Sequence, residues 1–261
     1  MLHIDIKSEI LFIKLNRPEK RNAINDEIIQ RLDSLFSYLS PEVKCAIIYG
    51  EGKNFSAGLD LSDLKERDTV QGIHHSRMWH RAMDKIQFGP VPVIAVLQGA
   101  CIGGGLELAS ACHIRVSDDS AYYALPEGQR GIYVGGGSSV RLPKLIGIQR
   151  MTDMMLTGRV YDATEGERIG IAQYVTANGQ ALEKGIALAH KIKANASLTN
   201  YAVTQVLPRI MDAGADAGMM MESLMAAIAQ DSPEAKARLN DFLEGRANKV
   251  PSPKSETEQP K

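Results

Sequence analysis

The stretch VPVIAVLQGACIGGGLELASACHIRVSDD, residues 91–119, contains one strand–turn–helix–strand unit. VPVIAVLQG is β-branched and apolar, which predicts a strand. The glycines Gly103–Gly105 predict a turn, LELASAC a helix, and HIRVSDD a returning strand. The same alternation precedes it: ILFIKLN (10–16) and CAIIYGEG (45–52) read as strands, and NDEIIQRLDSLFSYLS (25–40) repeats apolar residues at helical spacing through Ile28, Leu32, Leu35 and Leu39. VQGIHHSRMWHRAMDKIQFG (70–89) then leads into the quoted stretch. Strand, helix, strand in repetition predicts an α/β domain with a parallel or mixed sheet under helical cover.

From about residue 144 the strand signal fades. Residues 143–158, 162–172, 181–195 and 217–245 all read as helix. The expected organisation is a core over 1–195, a helical region over 196–249 and a disordered polar tail over 250–261. Met219, Met220, Met221 and Met225, with Leu224 and Ile228, read as buried helix packing or a subunit contact.

Composition narrows the class. Thirty Lys+Arg against 31 Asp+Glu give a net charge of −1, which argues against a broad nucleic-acid face. Cys45, Cys101 and Cys112 lack metal-ligand spacing and read as reduced thiols. The sequence shows no leader-like segment and no long apolar run, so the expectation is a cytoplasmic protein with no membrane partner.

Glu107 sits inside the apolar helix of the quoted stretch, where an unpaired carboxylate is costly. Taken alone it is a helix-start acid favoured by the dipole. The glycines before it leave backbone N–H groups free at the helix start, but neither phosphate-loop pattern, G-x-x-x-x-G-K-[ST] nor G-x-G-x-x-G, is present. A second turn, at Gly58 in KNFSAGLDLSDL, follows the strand CAIIYG. Two such turns can bring Leu59 N–H and Gly104 N–H to one carbonyl oxygen as an oxyanion hole. Glu127, 20 residues beyond Glu107 and directly after Pro126, is the second carboxylate able to face that cavity.

These residues lie in segments that resemble the crotonase, or enoyl-CoA hydratase/isomerase, family: LNRPEKRNAIN, KNFSAGLDLSDL, GACIGGGLELASACHIRVSDDSAYYALPE, SSVRLPKLIG and DSPEAKARLNDFLEGR. The resemblance implies a superhelix of β-β-α units with a carboxyl-terminal α-helical trimerisation region. The assembly would be a homotrimer or a homohexamer made of two trimers. It implies 2-enoyl-CoA as substrate, Glu107 and Glu127 as acid and base, and Leu59 and Gly104 as oxyanion donors. It also implies coenzyme A contacts at Lys20, Arg21, Ser56, Ala57, Leu59, Asp60 and Leu61, and substrate contacts at Gly103, Gly104 and Gly135. No cofactor or metal is implied, because coenzyme A is part of the substrate.

Two departures from the family pattern bear on substrate choice. Val134 stands where proline is usual, and Gln129 and Arg130 follow Glu127 where apolar residues are usual. A salt bridge from Arg130 would lower the Glu127 pKa. Rival readings are a double-bond isomerase, an aromatic hydratase-lyase, or a non-catalytic acyl-CoA- or RNA-binding member. His74, His75 and His80 read as a polar helical segment beside the pocket rather than a metal cluster, and Ser138 reads as a helix cap.

Overall fold

The computed structural model describes residues 1–60, 62 and 67–247. An antiparallel hairpin opens the chain, β1 (Leu2–Lys7) against β2 (Ile10–Leu15), turning at Ser8 and Glu9. Helix α1 (Asp26–Ser37) starts where the Asn25 side chain accepts a hydrogen bond from Ile28 N, and it buries Ile28, Ile29, Leu32 and Phe36. Each such side chain removed from water contributes roughly 1.5–3 kcal/mol. Strand β3 (Cys45–Gly50) returns parallel to β2. Then come α2 (Thr69–Gln87), β4 (Val93–Leu97), β5 (Ala100–Ile102), α3 (Gly104–Ala111), β6 (Ile114–Asp118) and β7 (Tyr122–Ala124). The unit continues through α4 (Ser138–Ile146), α5 (Ile148–Thr157), β8 (Tyr161–Asp162), α6 (Ala163–Ile169), β9 (Tyr174–Thr176), α7 (Ala181–Lys193) and α8 (Ser197–Tyr201).

Two sheets result: β1-β2-β3-β4-β6-β9, parallel except for the first pair, and β5-β7-β8. From β4 to β7 successive strands alternate between them. Strand β4 lies in the large sheet and β5 in the small one before α3; β6 and β7 repeat the step before α4. The segment after β3 does the same with one residue, since Ser56 makes a parallel bridge to Cys101 of β5 before the chain enters α2. These are the expected β-β-α turns.

The large sheet is covered on both faces, which is why its strands read as unbroken apolar runs. Ala46 and Ile48 of β3 join Val93, Ala95 and Leu97 of β4 in the main core with α1, α2 and α3. The alternate residues, Cys45, Ile47, Ile94 and Val96, pack with Ala181, Leu188 and Ala189 of α7. The three cysteines are buried free thiols.

Five strands were not expected; β5 is one of them, a separate three-residue strand beyond the run that ends at Gly99. Strand β1 buries only Leu2 completely and shows mixed polar side chains along its exposed length, so periodicity does not reveal it. Strands β7, β8 and β9 are two or three residues long, and β8 and β9 lie where only helix was expected. The apolar stretch 143–158 is two helices, because Gly147 takes φ +82 between α4 and α5.

The first compact unit is Met1–Gln205, and a second begins at Val206, ten residues later than the expected boundary at 196. Within the second unit are α9 (Leu207–Asp212), α10 (Ala215–Asp231) and α11 (Pro233–Leu243). Ser232 separates the last two, accepting from Ala235 N with Pro233 in the first turn. Met219, Met220, Leu224 and Ile228 are exposed, so they are not packed inside this chain. The expected tail, 250–261, lies outside the described residues.

Candidate active site

The small sheet brings the two glycine turns together. Ser56 N donates to Ala100 O and Ile102 N to Ser56 O, which lays the 56–59 segment along β5. The Ser56 hydroxyl is buried, donating to Asn22 O and accepting from Gly58 N. Ile24 pairs with the other side of this segment, giving N–H to Gly58 O and taking Asp60 N. Gly58 adopts φ +93, and a Cβ there would stand 2.7 Å from Ile102 O and 3.2 Å from Gly104 N. A Cβ on Gly104 would stand 3.3 Å from Leu59 N and 3.0 Å from the Trp79 ring. The two amides are therefore neighbours, and among the described residues neither donates to a backbone acceptor. Both residues line a cavity of about 450 Å³. Gly104 is the first residue of α3, so the helix dipole adds to its N–H.

Helix α3 is buried along its whole length, and Glu107 in its first turn is 4% exposed. Its Oε1 accepts hydrogen bonds from Gly136 N at 2.7 Å, Ser138 N at 3.3 Å and Ser138 Oγ at 3.0 Å. The carboxylate expected from the sequence is thus anchored by one oxygen. Ser138 opens α4 but its hydroxyl goes to Glu107; it is not the helix cap expected.

Glu127 stands at the head of the 3-10 turn Gly128–Arg130, with its carbonyl accepting from Arg130 N and Ile132 N. Its side chain turns inward against Gly103, where an added Cβ would meet Glu127 Oε1 at 2.8 Å. Gly103 also takes φ +51, ψ −121, a conformation for glycine. Glu127 is 7% exposed, and its Oε2 is buried with no partner among the described residues. Burial pushes its pKa up to about 7; Glu107 adds to the rise and Arg130 opposes it. A salt bridge from Arg130, which would lower this pKa, is not formed among the described residues, and the pKa moves in the other direction. Arg130 is exposed at the cavity mouth, where solvent weakens its field, whereas the carboxyl lies deeper.

Glu107 and Glu127 line the same cavity, with Gly103, Gly104 and Gly135 also in its wall. Ala57, Gly58 and Leu59 form another part of the wall, and Ala57 N donates to Arg21 O. Asp60 is buried and held well below the usual carboxylate range, first by hydrogen bonding from Ser62, then by Arg17 and Lys20, with burial opposing. Arg17 Nη2 and Lys20 Nζ reach Asp60 Oδ2 at 2.7 and 3.0 Å. Arg21 is exposed in a left-handed conformation. Leu61 lies outside the described residues.

Helix α2 supplies Trp79, whose buried ring lies against Gly104 and Gly136: a Cβ on either would stand 3.0 Å from it. His75 Nε2 lies 2.8 Å from Asp26 Oδ1, and His80 pairs with Ser76, whose hydroxyl donates to Gly135 O. Among the described residues no cluster of His, Cys, Asp and Glu is arranged to hold a metal. Gly136 and Trp79 carry more of the site than sequence reading assigned them. The signal for Gly136 was the glycine run before a helix start, and Trp79 stood within the helix read as bordering the pocket.

The family model for enoyl-CoA hydratase/isomerase matches residues 5–251. A short-chain-enoyl-CoA hydratase of Clostridium acetobutylicum is 28% identical over 246 residues, covering 93% of this chain and 94% of the relative. A mevalonyl-coenzyme A hydratase of Aspergillus fumigatus is 36% identical over 189 residues, 71% of this chain and 70% of its own. The crystal structure of a candidate enoyl-CoA hydratase from Rhodopseudomonas palustris superposes with TM-score 0.92 at 55% identity, covering 94% of this chain and 95% of that one. With two neighbouring amides and two carboxylates around one cavity, and with a match over nearly all its length, the chain belongs to the enoyl-CoA hydratase/isomerase family.

Proposed function

We propose that this family member adds water reversibly across the conjugated double bond of a 2-enoyl-CoA. The observation that carries this reading is the contrast between the two glutamates. Glu107 offers an anchored acceptor oxygen, while Glu127 has a buried Oε2 with no partner among the described residues and holds its proton to about pH 7. One is suited to take a proton and the other to give one.

In this mechanism the thioester oxygen lies against Leu59 N–H and Gly104 N–H. They draw charge from the double bond and stabilise the enolate-like oxygen; one such donor contributes roughly 3–4 kcal/mol to the transition state. Glu107 takes a proton from water as its oxygen bonds to the β-carbon. Glu127 delivers a proton to the α-carbon. The product is a 3-hydroxyacyl-CoA, and proton exchange between solvent and the pair restores the starting state, so no resident cofactor enters the balance. Lys20, Arg21, Ser56, Ala57, Asp60 and Leu61 are assigned to the coenzyme A side, Gly103 and Gly135 to the acyl side.

The same proposal takes the second unit as a subunit-contact region in a homotrimer or a hexamer of two trimers. Exposed Met219, Met220, Leu224, Ile228 and Phe242 support it. Three buried free thiols favour a reducing compartment, which we take to be the cytoplasm. Among the described residues no helix is long and apolar enough to cross a membrane. Neither a membrane nor a nucleic acid is proposed as a partner.

The test is loss of the ultraviolet absorbance of the conjugated thioester over a panel of 2-enoyl-CoA substrates. Wild type should bleach at least one of them, and Glu107→Gln and Glu127→Gln should be slower by roughly 10²–10⁴-fold. Equal rates in all three proteins would overturn the reading in favour of a binding protein.

A further inference from the structure

Glu107 is held by the backbone of one glycine, and that glycine is itself held from its other end. The N–H of Gly136 donates to Glu107 Oε1 at 2.7 Å, and the carbonyl of the same residue accepts from Arg141 Nη1 at 3.1 Å. Arg141 is 8% exposed and lies one turn into α4. Its remaining donors are fixed from outside the site: Nε gives to Gln87 Oε1 and Nη2 to Asp84 Oδ1, both at 2.6 Å and both from α2. We propose that Arg141 is a positioning residue for the base Glu107, acting through the Gly136 backbone.

The two glycines at 136 and 137 fit this role residue by residue. A Cβ on Gly136 would lie 3.1 Å from the Glu107 carboxyl carbon, on the cavity side. A Cβ on Gly137 would lie 2.3 Å from Arg141 Nη1, on the other side, and Gly137 takes φ +95 besides. The chain thus gives up one side chain to admit the carboxylate and the next to admit the guanidinium. The two bonds act on successive peptide groups that meet at the Gly136 Cα, so the guanidinium fixes the position of the residue whose N–H the carboxylate uses. Arg141 itself does not line the cavity, so it acts on the reaction only through what it holds.

The fork geometry explains why arginine stands here. One planar group reaches a backbone carbonyl in the glycine turn and an amide oxygen and a carboxylate on α2, which a lysine ammonium on a single stem does not reproduce. Helix α2 also carries Trp79 against Gly104 and Gly136. The guanidinium therefore ties the base to the same helix that backs the oxyanion amides, fixing the distance between the two halves of the reaction.

The proposal rests on the hydratase reading, and the experiment separates the two. Steady-state hydration of a short 2-enoyl-CoA is measured for wild type, Arg141→Ala, Arg141→Lys and the pair Asp84→Asn with Gln87→Ala, each with its melting temperature. Arg141→Ala should lower kcat by roughly 10- to 100-fold with KM within about twofold, because the base is displaced while the thioester amides remain. Guanidinium at millimolar concentration should restore part of that kcat, and Arg141→Lys should fall between alanine and wild type. A folded Arg141→Ala with wild-type kcat would overturn the proposal. So would a loss that tracks melting temperature and is insensitive to guanidinium. If the alanine variant does not fold, the Asp84/Gln87 pair decides: lowered kcat at unchanged KM supports the role, and wild-type kcat refutes it. A wild type inactive on every 2-enoyl-CoA would instead refute the hydratase reading.

Discussion

Replacing Glu127 by glutamine should make the protein more stable at alkaline pH while removing its activity. Burial raises the Glu127 pKa from the ordinary 4.5 to about 7. Between those values the folded state keeps a proton that the unfolded state has lost, so wild-type stability falls as pH rises through this window. Above about pH 7 the whole cost of an ionised buried carboxyl is present, ~3 kcal/mol at 1.36 kcal/mol for each pH unit. Glutamine has nothing to ionise. Chemical denaturation of both proteins at intervals from pH 4.5 to 8.5 should show Glu127→Gln gaining on wild type by up to ~3 kcal/mol across the range, with little change at its acid end. Activity on a 2-enoyl-CoA should meanwhile fall by roughly 10²–10⁴-fold. A stability difference that is flat with pH would refute the claim that burial sets the state of this acid.

Further outcomes follow from the same geometry. Because Glu127 must be protonated to deliver to the α-carbon, kcat/KM should decline above about pH 7, and the decline checks the raised pKa directly. Gly104→Ala should lower kcat by roughly 10²–10³-fold, since its Cβ would press on Trp79 and Leu59 N and displace one oxyanion donor; acyl-CoA binding by calorimetry reports whether the cavity survives. Asp60→Asn leaves Arg17 and Lys20 without their buried anion and should destabilise by about 3 kcal/mol near neutral pH. The depressed Asp60 pKa makes that difference present above the ordinary carboxylate range and lost as pH falls through the folded value, which denaturation at acid pH would reveal.

The α/β class was legible because strands buried on both faces become continuous apolar runs, as in CAIIYG and VPVIAVL, and because α1 announces itself through Asn25 and its buried stripe. The short strands were not, since two or three residues carry no periodicity, and β8 and β9 exist through tertiary pairing alone. At the site, a lone acid within an apolar helix and a glutamate after proline were visible as anomalies. The support behind them was not. Nothing local to Ser138 says its hydroxyl serves Glu107 rather than a helix end, and nothing local to Arg141 joins it to Asp84 and Gln87, more than fifty residues upstream. Arg130 is the opposite case: it neighbours Glu127 along the chain, yet burial in the cavity governs the acid.

The source of the oxygen in the product tests the account most directly. A short 2-enoyl-CoA incubated with the protein in ¹⁸O-enriched water should yield 3-hydroxyacyl-CoA bearing a single heavy oxygen on its acyl chain, by mass spectrometry, with Glu107→Gln and Glu127→Gln yielding almost none. An acyl-CoA recovered unhydrated, merely isomerised, or hydrated equally well by either glutamine variant would contradict it.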